Sequence, residues 1–221
     1  RGRASVRLVV MWQEQLAAVR AQLALAGLDV VHPLAVGWVE DLVAVDRPAA
    51  GLGLLIGNSK ALWSRLAPHP DDPHPVDSHF ERAVTEATAL LDPVIRFAHR
   101  RYAGAFVPMQ RVAERVGLAQ LSPSMLCVHP EFGTWFSRRA LALSAVPGPV
   151  GEPTKPQDFC GPCHKPCMPL MQAALARDDA SWRDWLAARD ACPIGAADRR
   201  YSQEQIRYHY TKERRWLPRG D

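Results

Sequence analysis

Four cysteines carry the most readable chemistry in this chain of 221 residues. Cys160, Cys163, Cys167 and Cys192 follow the spacing C-x2-C-x3-C-x24-C, with the first three inside "DFCGPCHKPCMPL". Four thiolates can complete a tetrahedral zinc site or hold a cubane iron-sulfur cluster, since both accept four sulfurs. Spacing alone does not choose between them. The fifth cysteine, Cys127, stands apart in an apolar strand pattern and reads as a small core residue.

The neighbouring residues tilt the choice. "CMP" and "ACPIGA" are similar to the endings of ferredoxin-type sites, where proline and a glycine turn accompany a ligand cysteine, and this favours a [4Fe-4S] cluster with zinc as the alternative. A third reading takes "FCGPC" as a redox pair of the thioredoxin kind, since a C-x-x-C opening a helix has one acidified, nucleophilic thiol. That reading leaves two nearby cysteines unexplained. His164 reads as a solvated loop residue.

The elements that must position these residues follow from pattern. Leu8, Trp12, Leu16, Val19 and Leu23 recur at helical spacing and stop at Gly27. "DVVHPLAVGWV", "GLGLLIGNS" and "PVIRFAH" read as strands, and Ser59 to Leu66 as helical. Asp77 is a candidate N-cap for a helix carrying Phe80, Val84, Ala87 and Leu91. Residues 100–116 read as one or two helices, and "MLCVHPEFGTWFSRRALALSAV" as two strands around a Phe-Gly turn. After the breaker-rich "PGPVGEPTKP" come the Cys/Pro loop, a helix near 168–178, "SWRDWLAARD" and a polar helix from Ser202. Interleaved helices and strands without strict alternation indicate an α+β fold. The division is a sheet domain over 1–150 and a Cys-rich helical segment over 151–221 packed on it.

Composition narrows the function classes. An apolar share of 48% supports a real core, and no run of 18 uncharged apolar residues offers a membrane span. The N-terminal apolar run meets Gln13 and Glu14 rather than a small-residue cleavage site, so the expectation is a cytoplasmic protein without a secretory signal. Net charge is +4, and the basic excess lies in residues 199–219, where seven Arg or Lys face Glu204 and Glu213. No aromatic platform or recognised motif accompanies it, so a solvated face or a small acidic ligand is expected rather than nucleic acid.

One string is more specific than any of these features. "LCVHPEFGTWFSRRALAL" resembles the signature of the cblC family of cytosolic cobalamin-processing proteins, the cyanocobalamin decyanases and alkylcobalamin dealkylases. "WRDWLAARDA" and "RYSQEQIRYHY" match in the same order, "AGLGLLIGNSKALWSRL" matches more weakly, and together they span roughly residues 35–217. The resemblance implies a nitroreductase-like sheet domain with a large cavity, and cobalamin bound with its lower ligand displaced. It implies removal of the upper ligand, either by electrons from a flavin or partner reductase or by alkyl transfer to glutathione. It places Leu126, Cys127, Val128, His129, Phe132, Gly133 and Trp135 at the corrin. It places Arg139, Arg189 and either Arg214 or Arg215, with Arg215 preferred, at the carboxylates of the thiol substrate.

Two departures qualify it. The family's histidine near the corrin falls on Arg101 in "RRYAGAF", and its tyrosine-rich run is "FVPMQR" here, which bears on upper-ligand preference and flavin contacts. The four-cysteine set is an addition that resembles the epoxyqueuosine reductases and reductive dehalogenases, where iron-sulfur clusters feed electrons to cobalamin. The combined expectation is a cobalamin reductase in which Cys160, Cys163, Cys167 and Cys192 hold a [4Fe-4S] cluster and no side chain acts as a general base. A flavin reductase or a ferredoxin is the expected donor, and a homodimer is compatible. The rivals are a B12-trafficking chaperone with structural zinc and a corrinoid-dependent reductase of an organic substrate.

Overall fold

The computed structural model describes residues 2–195 and 197–219. Its centre is a four-stranded antiparallel sheet in the order β1 (Val30–Ala35), β2 (Gly51–Asn58), β8 (Ser137–Pro147), β3 (Val94–Phe97). β2 is buried along its whole length, which is why "GLGLLIGN" reads as a continuous apolar run rather than an alternation. Leu52, Leu54 and Ile56 point to one face of the sheet, and Leu55 to the other.

The first face is covered by α1 (Gly2–Leu25) and α2 (Pro75–Thr88), through Leu16, Val19 and Leu23 from the one and Phe80 and Val84 from the other. Leu8 of the expected stripe lies outside the residues whose side chains are described. α1 stops at Gly27, which takes a φ of +76° and on which a Cβ would sit 2.6 Å from the backbone of Leu62. α2 opens on Pro75 with His74 before it, so Asp77 stands inside the first turn and is not the cap.

The second face packs on α3 (Met109–Arg115) and on the short ribbon of β6 (Gln120–Leu121) and β7 (Cys127–Val128). Two expectations change here. Residues 100–116 are not all helical, because β4 (Arg101–Tyr102) and β5 (Ala105–Phe106) form a hairpin ahead of α3. Its turn is Ala103-Gly104 with both φ positive, the pairing that matches strand twist. The two strands flanking the Phe-Gly turn are not partners either: β7 pairs with β6, and β8 with β2 and β3.

The final third holds α4 (Cys167–Leu175), α5 (Trp182–Asp190) and α6 (Gln203–Thr211). Ser181 and Asp184 close a capping box on α5, and Ser202 caps α6. Tyr208 and Leu217 are buried in the same apolar cluster as Leu54 and Phe80, so this segment returns to the sheet's own core. Among the described residues no helix is long and apolar enough to cross a membrane.

Candidate functional site

An open cavity of about 420 Å³ lies where β8 begins, walled by α3 and β7 on one side and α5 and α6 on the other. Its volume is in the small-molecule range of roughly 300–1,000 Å³. Three guanidinium groups line it, those of Arg138, Arg139 and Arg189. Consecutive residues of a regular strand point to opposite faces, yet both Arg138 and Arg139 reach this cavity. The register explains it: Gly57 pairs with Arg138 and Ile56 with Ala140, leaving Arg139 as the extra residue of a β-bulge. Bulges re-aim side chains in this way beside functional sites. Gly57 permits the close approach, since a Cβ there would lie 1.9 Å from the carbonyl oxygen of Ser137.

Each arginine is held differently. Arg189 donates from Nε and Nη2 to the Thr134 carbonyl at 3.1 and 2.6 Å, and lies over the Trp135 ring at 4.1 Å. Arg139 pairs with Asp77 at 3.1 Å and donates to Ser137 Oγ at 3.1 Å. Asp77 is also 3.8 Å from His99, whose other ring nitrogen meets Glu81 at 2.7 Å. Arg138 has no carboxylate partner among the described residues, and its Nε is buried without an acceptor.

The cavity therefore carries an excess of positive charge. His209 faces it and is held well below its ordinary pKa by burial and then by Arg139, Lys212 and Arg189, so it is neutral at physiological pH. Burial pushes the Tyr201 hydroxyl up against the opposing pull of Arg189 and Arg139. Burial also raises the Cys127 thiol, with Arg138 opposing, so Cys127 stands at the cavity as a neutral thiol.

The structure divides the expected corrin residues. Leu126 and Cys127 line the arginine cavity, while Val128 faces a second, smaller one. His129 and Gly133 close a tight turn by exchanging backbone hydrogen bonds. His129 Nδ1 accepts from the backbone N–H of Glu131 at 3.1 Å and of Phe132 at 3.3 Å, and its ring stacks on Phe132. Burial and neighbouring His32 lower its pKa to about 4. Trp135 is buried against Tyr201 and beneath Arg189.

Of the three expected thiol-substrate arginines, the structure brings Arg139 and Arg189 together. Arg215 is elsewhere: exposed, paired with Glu213 at 2.5 Å and lying over Trp216. Arg214 donates to the carbonyls of His69 and Asp72. Sequence reasoning missed Arg138, Tyr201 and His209. The last two sit inside "RYSQEQIRYHY", where their aromatic character was the available signal. Nothing in the sequence announces the bulge that turns Arg138 inward.

The second cavity holds the four cysteines. Cys160, Cys163, Cys167 and Cys192 all line a pocket of about 20 Å³, and all are free thiols. Their mutual proximity is felt electrostatically: burial raises the Cys160 thiol, and the other three sulfurs raise it further. Burial likewise raises Cys192. Gln120 Oε1 accepts the backbone N–H groups of Phe159 and Cys160 at 2.7 and 3.0 Å, fixing the loop. Cys192 is set by Gly133, whose φ of +54° and lack of a Cβ let the Ile194 carbonyl approach; a Cβ would lie 1.9 Å from that oxygen. As placed, no group of three or more His, Cys, Asp or Glu among the described residues is arranged to hold a metal ion. Leu126 and Thr134 belong to the walls of both cavities, so one layer of side chains separates them.

The fold and this site define a mixed α/β protein with an antiparallel sheet, an arginine-lined cavity and an adjoining thiol pocket. No family model matches the chain. It is similar to the cyanocobalamin reductase / alkylcobalamin dealkylase of Mus musculus, 28% identical over 214 residues, covering 82% of this chain and 73% of the relative. It is also similar to the proteins of that name from Bos taurus, 38% identical over 87 residues, and Homo sapiens, 37% identical over 91 residues. Those two matches cover 39% and 40% of this chain and span only 28% of each relative's length. Among solved structures, the C. elegans B12-trafficking protein CblC superposes with a TM-score of 0.68 at 16% identity, covering 92% of this chain and 93% of that one. The CblC structure shares the fold of this chain.

Proposed function

We propose that this chain binds cobalamin and removes its upper axial ligand, by reductive decyanation or by transfer of an alkyl group to a thiol. The observation that carries the reading is the arginine-lined cavity at the β8 bulge, built largely from the segments that resemble the cblC signature. The names of the relatives support it. A corrin is a broad apolar disc rimmed by amides. Among the described residues β7 pairs only with β6, which leaves main-chain groups for that rim. Trp135, Phe132 and the His129–Gly133 turn hold this wall in shape from behind.

In dealkylation, the alkyl group passes to the sulfur of the thiolate and its bonding pair stays on cobalt. Arg139 and Arg189 orient the thiol through its carboxylates, the task for which a planar guanidinium is suited, and glutathione is the co-substrate this favours. In decyanation, an electron added to cobalt weakens the bond to cyanide, which departs as the anion. His209 and Cys127 both face the cavity uncharged. No general base is required.

Cys160, Cys163, Cys167 and Cys192 are the residues that would hold a [4Fe-4S] cluster, which would supply single-electron chemistry one side-chain layer from the cavity. A flavin reductase or ferredoxin would serve as donor. The test is iron and acid-labile sulfide content of anaerobically purified chain, with turnover of cyanocobalamin. Iron, sulfide and cyanide release that depends on Cys163 support the reading. Zinc with no turnover supports a chaperone instead, and B12 retained over many cycles on an organic substrate supports a corrinoid-dependent reductase.

A further inference from the structure

We infer that Arg138 is the anchor for an oxyanion carried by the ligand of the arginine cavity, a role distinct from that of Arg139 and Arg189. The inference deepens the proposed function and rests on it only for the identity of the occupant.

The three guanidinium groups are not equivalent. Arg139 is matched by Asp77, and Arg189 spends two of its donors on the Thr134 carbonyl. Arg138 makes no ion pair and no hydrogen bond to an oxygen acceptor among the described residues, and its polar neighbours are the neutral Cys127 thiol, Tyr201 and the like-charged Arg189. The Arg138 guanidinium lies over the Phe136 ring, 5.0 Å from the centroid. Burial is the main influence on its charge, and a guanidinium does not give up its proton in a protein.

A buried charge without a partner is costly, so proteins pair such groups or present them to a ligand. The bulge decides which case applies. Had β8 kept its register, Arg138 and Arg139 would lie on opposite faces; the extra residue brings both to one cavity. Arg138 lines the cavity, and its Nε is buried there without a partner. A planar guanidinium with no oxygen acceptor, beside a second cation, fits a carboxylate or a phosphate.

Two parts of the proposed substrates carry such a group: the carboxylates of glutathione and the phosphodiester of the cobalamin nucleotide tail. Affinities of wild type, Arg138→Leu and Arg138→Lys for glutathione, glutathione diester, cyanocobalamin and cobinamide, which lacks the phosphodiester tail, separate them. Loss of one charge-assisted pair weakens binding about tenfold or more. The expected result is that loss in Arg138→Leu for glutathione but not its diester, or for cyanocobalamin but not cobinamide. Partial recovery in Arg138→Lys is expected in either case. Equal affinities in wild type and Arg138→Leu, or an equal loss for the uncharged ligands, would overturn the role. Failure of wild type to bind any corrinoid would overturn the proposed function instead. Thermal unfolding without ligand adds a readout: Arg138→Leu is expected to melt no lower than wild type, whereas a structural arginine would cost stability.

Discussion

Replacing Gly133 by alanine tests how the His129–Gly133 turn and the thiol pocket are joined. Gly133 has a φ of +54°, and an alanine Cβ would lie 1.9 Å from the Ile194 carbonyl oxygen and 2.7 Å from its carbon. The left-handed conformation alone costs about 1–2 kcal/mol. Both close atoms are backbone, so the 192–195 loop must move, which adds about 1–3 kcal/mol as overpacking does. Taking about 3 kcal/mol in all, a domain of this size loses about 6–12 °C in Tm. Gly104→Ala is the control: its φ is +84° but nothing lies within 4 Å of the added Cβ, so only the conformational part, about 2–8 °C, is expected. The assay is thermal unfolding of both variants, with the rate of Cys192 alkylation as the local readout. Gly133→Ala should alkylate faster than wild type and Gly104→Ala should not. Equal Tm losses, or an unchanged alkylation rate in Gly133→Ala, would refute the interlock.

Other perturbations follow from the same contacts. Ser181→Ala removes the α5 capping box and should cost about 1 kcal/mol, read as a fall of about 2–4 °C in Tm. Arg189→Met removes two hydrogen bonds to the Thr134 carbonyl and the stacking on Trp135, so about 2 kcal/mol of stability and the tryptophan's fluorescence environment should both change. His129 has a folded pKa of about 4 against 6.5, so the unfolded chain takes up the proton first and stability should fall as pH drops from about 6.5 towards 4. His129→Gln should flatten that slope in urea titrations across the range, while His32 and His209, lowered in the same direction, retain the remainder. Cys167→Ser should lower iron content without weakening corrin binding, measured on the same anaerobic preparation.

The parts of the fold set by local pattern were readable in the sequence. β2 and α2 follow from apolar runs and periodicity, and α6 from its Ser202 cap. The clustering of Cys160, Cys163 and Cys167 was visible in their spacing, whereas Cys192 reaches the same pocket through the fold. Pairing was less readable. The Phe-Gly turn looked like a hairpin because strands on both sides of a turn usually pair, whereas β7 is claimed by β6 and β8 by the sheet. The 100–116 stretch misled because Arg101, Tyr102 and Phe106 carry no strong periodicity, and the hairpin rests on one Ala-Gly turn. Arg138 escaped notice because a one-residue bulge has no signature in residue type. Arg215 was placed by position, and the structure turns it towards Glu213 and Trp216.

The central claim is that the cavity at the start of β8 receives a corrin and lies beside a redox-active thiol pocket. The most direct measurement is an anaerobic absorption titration of the purified chain with cyanocobalamin. The account predicts stoichiometric binding with the corrin bands shifted to the form lacking its lower ligand, over an iron-sulfur absorption present before B12 is added. Corrin bands identical to those of free cyanocobalamin, over a protein that is colourless, would contradict it.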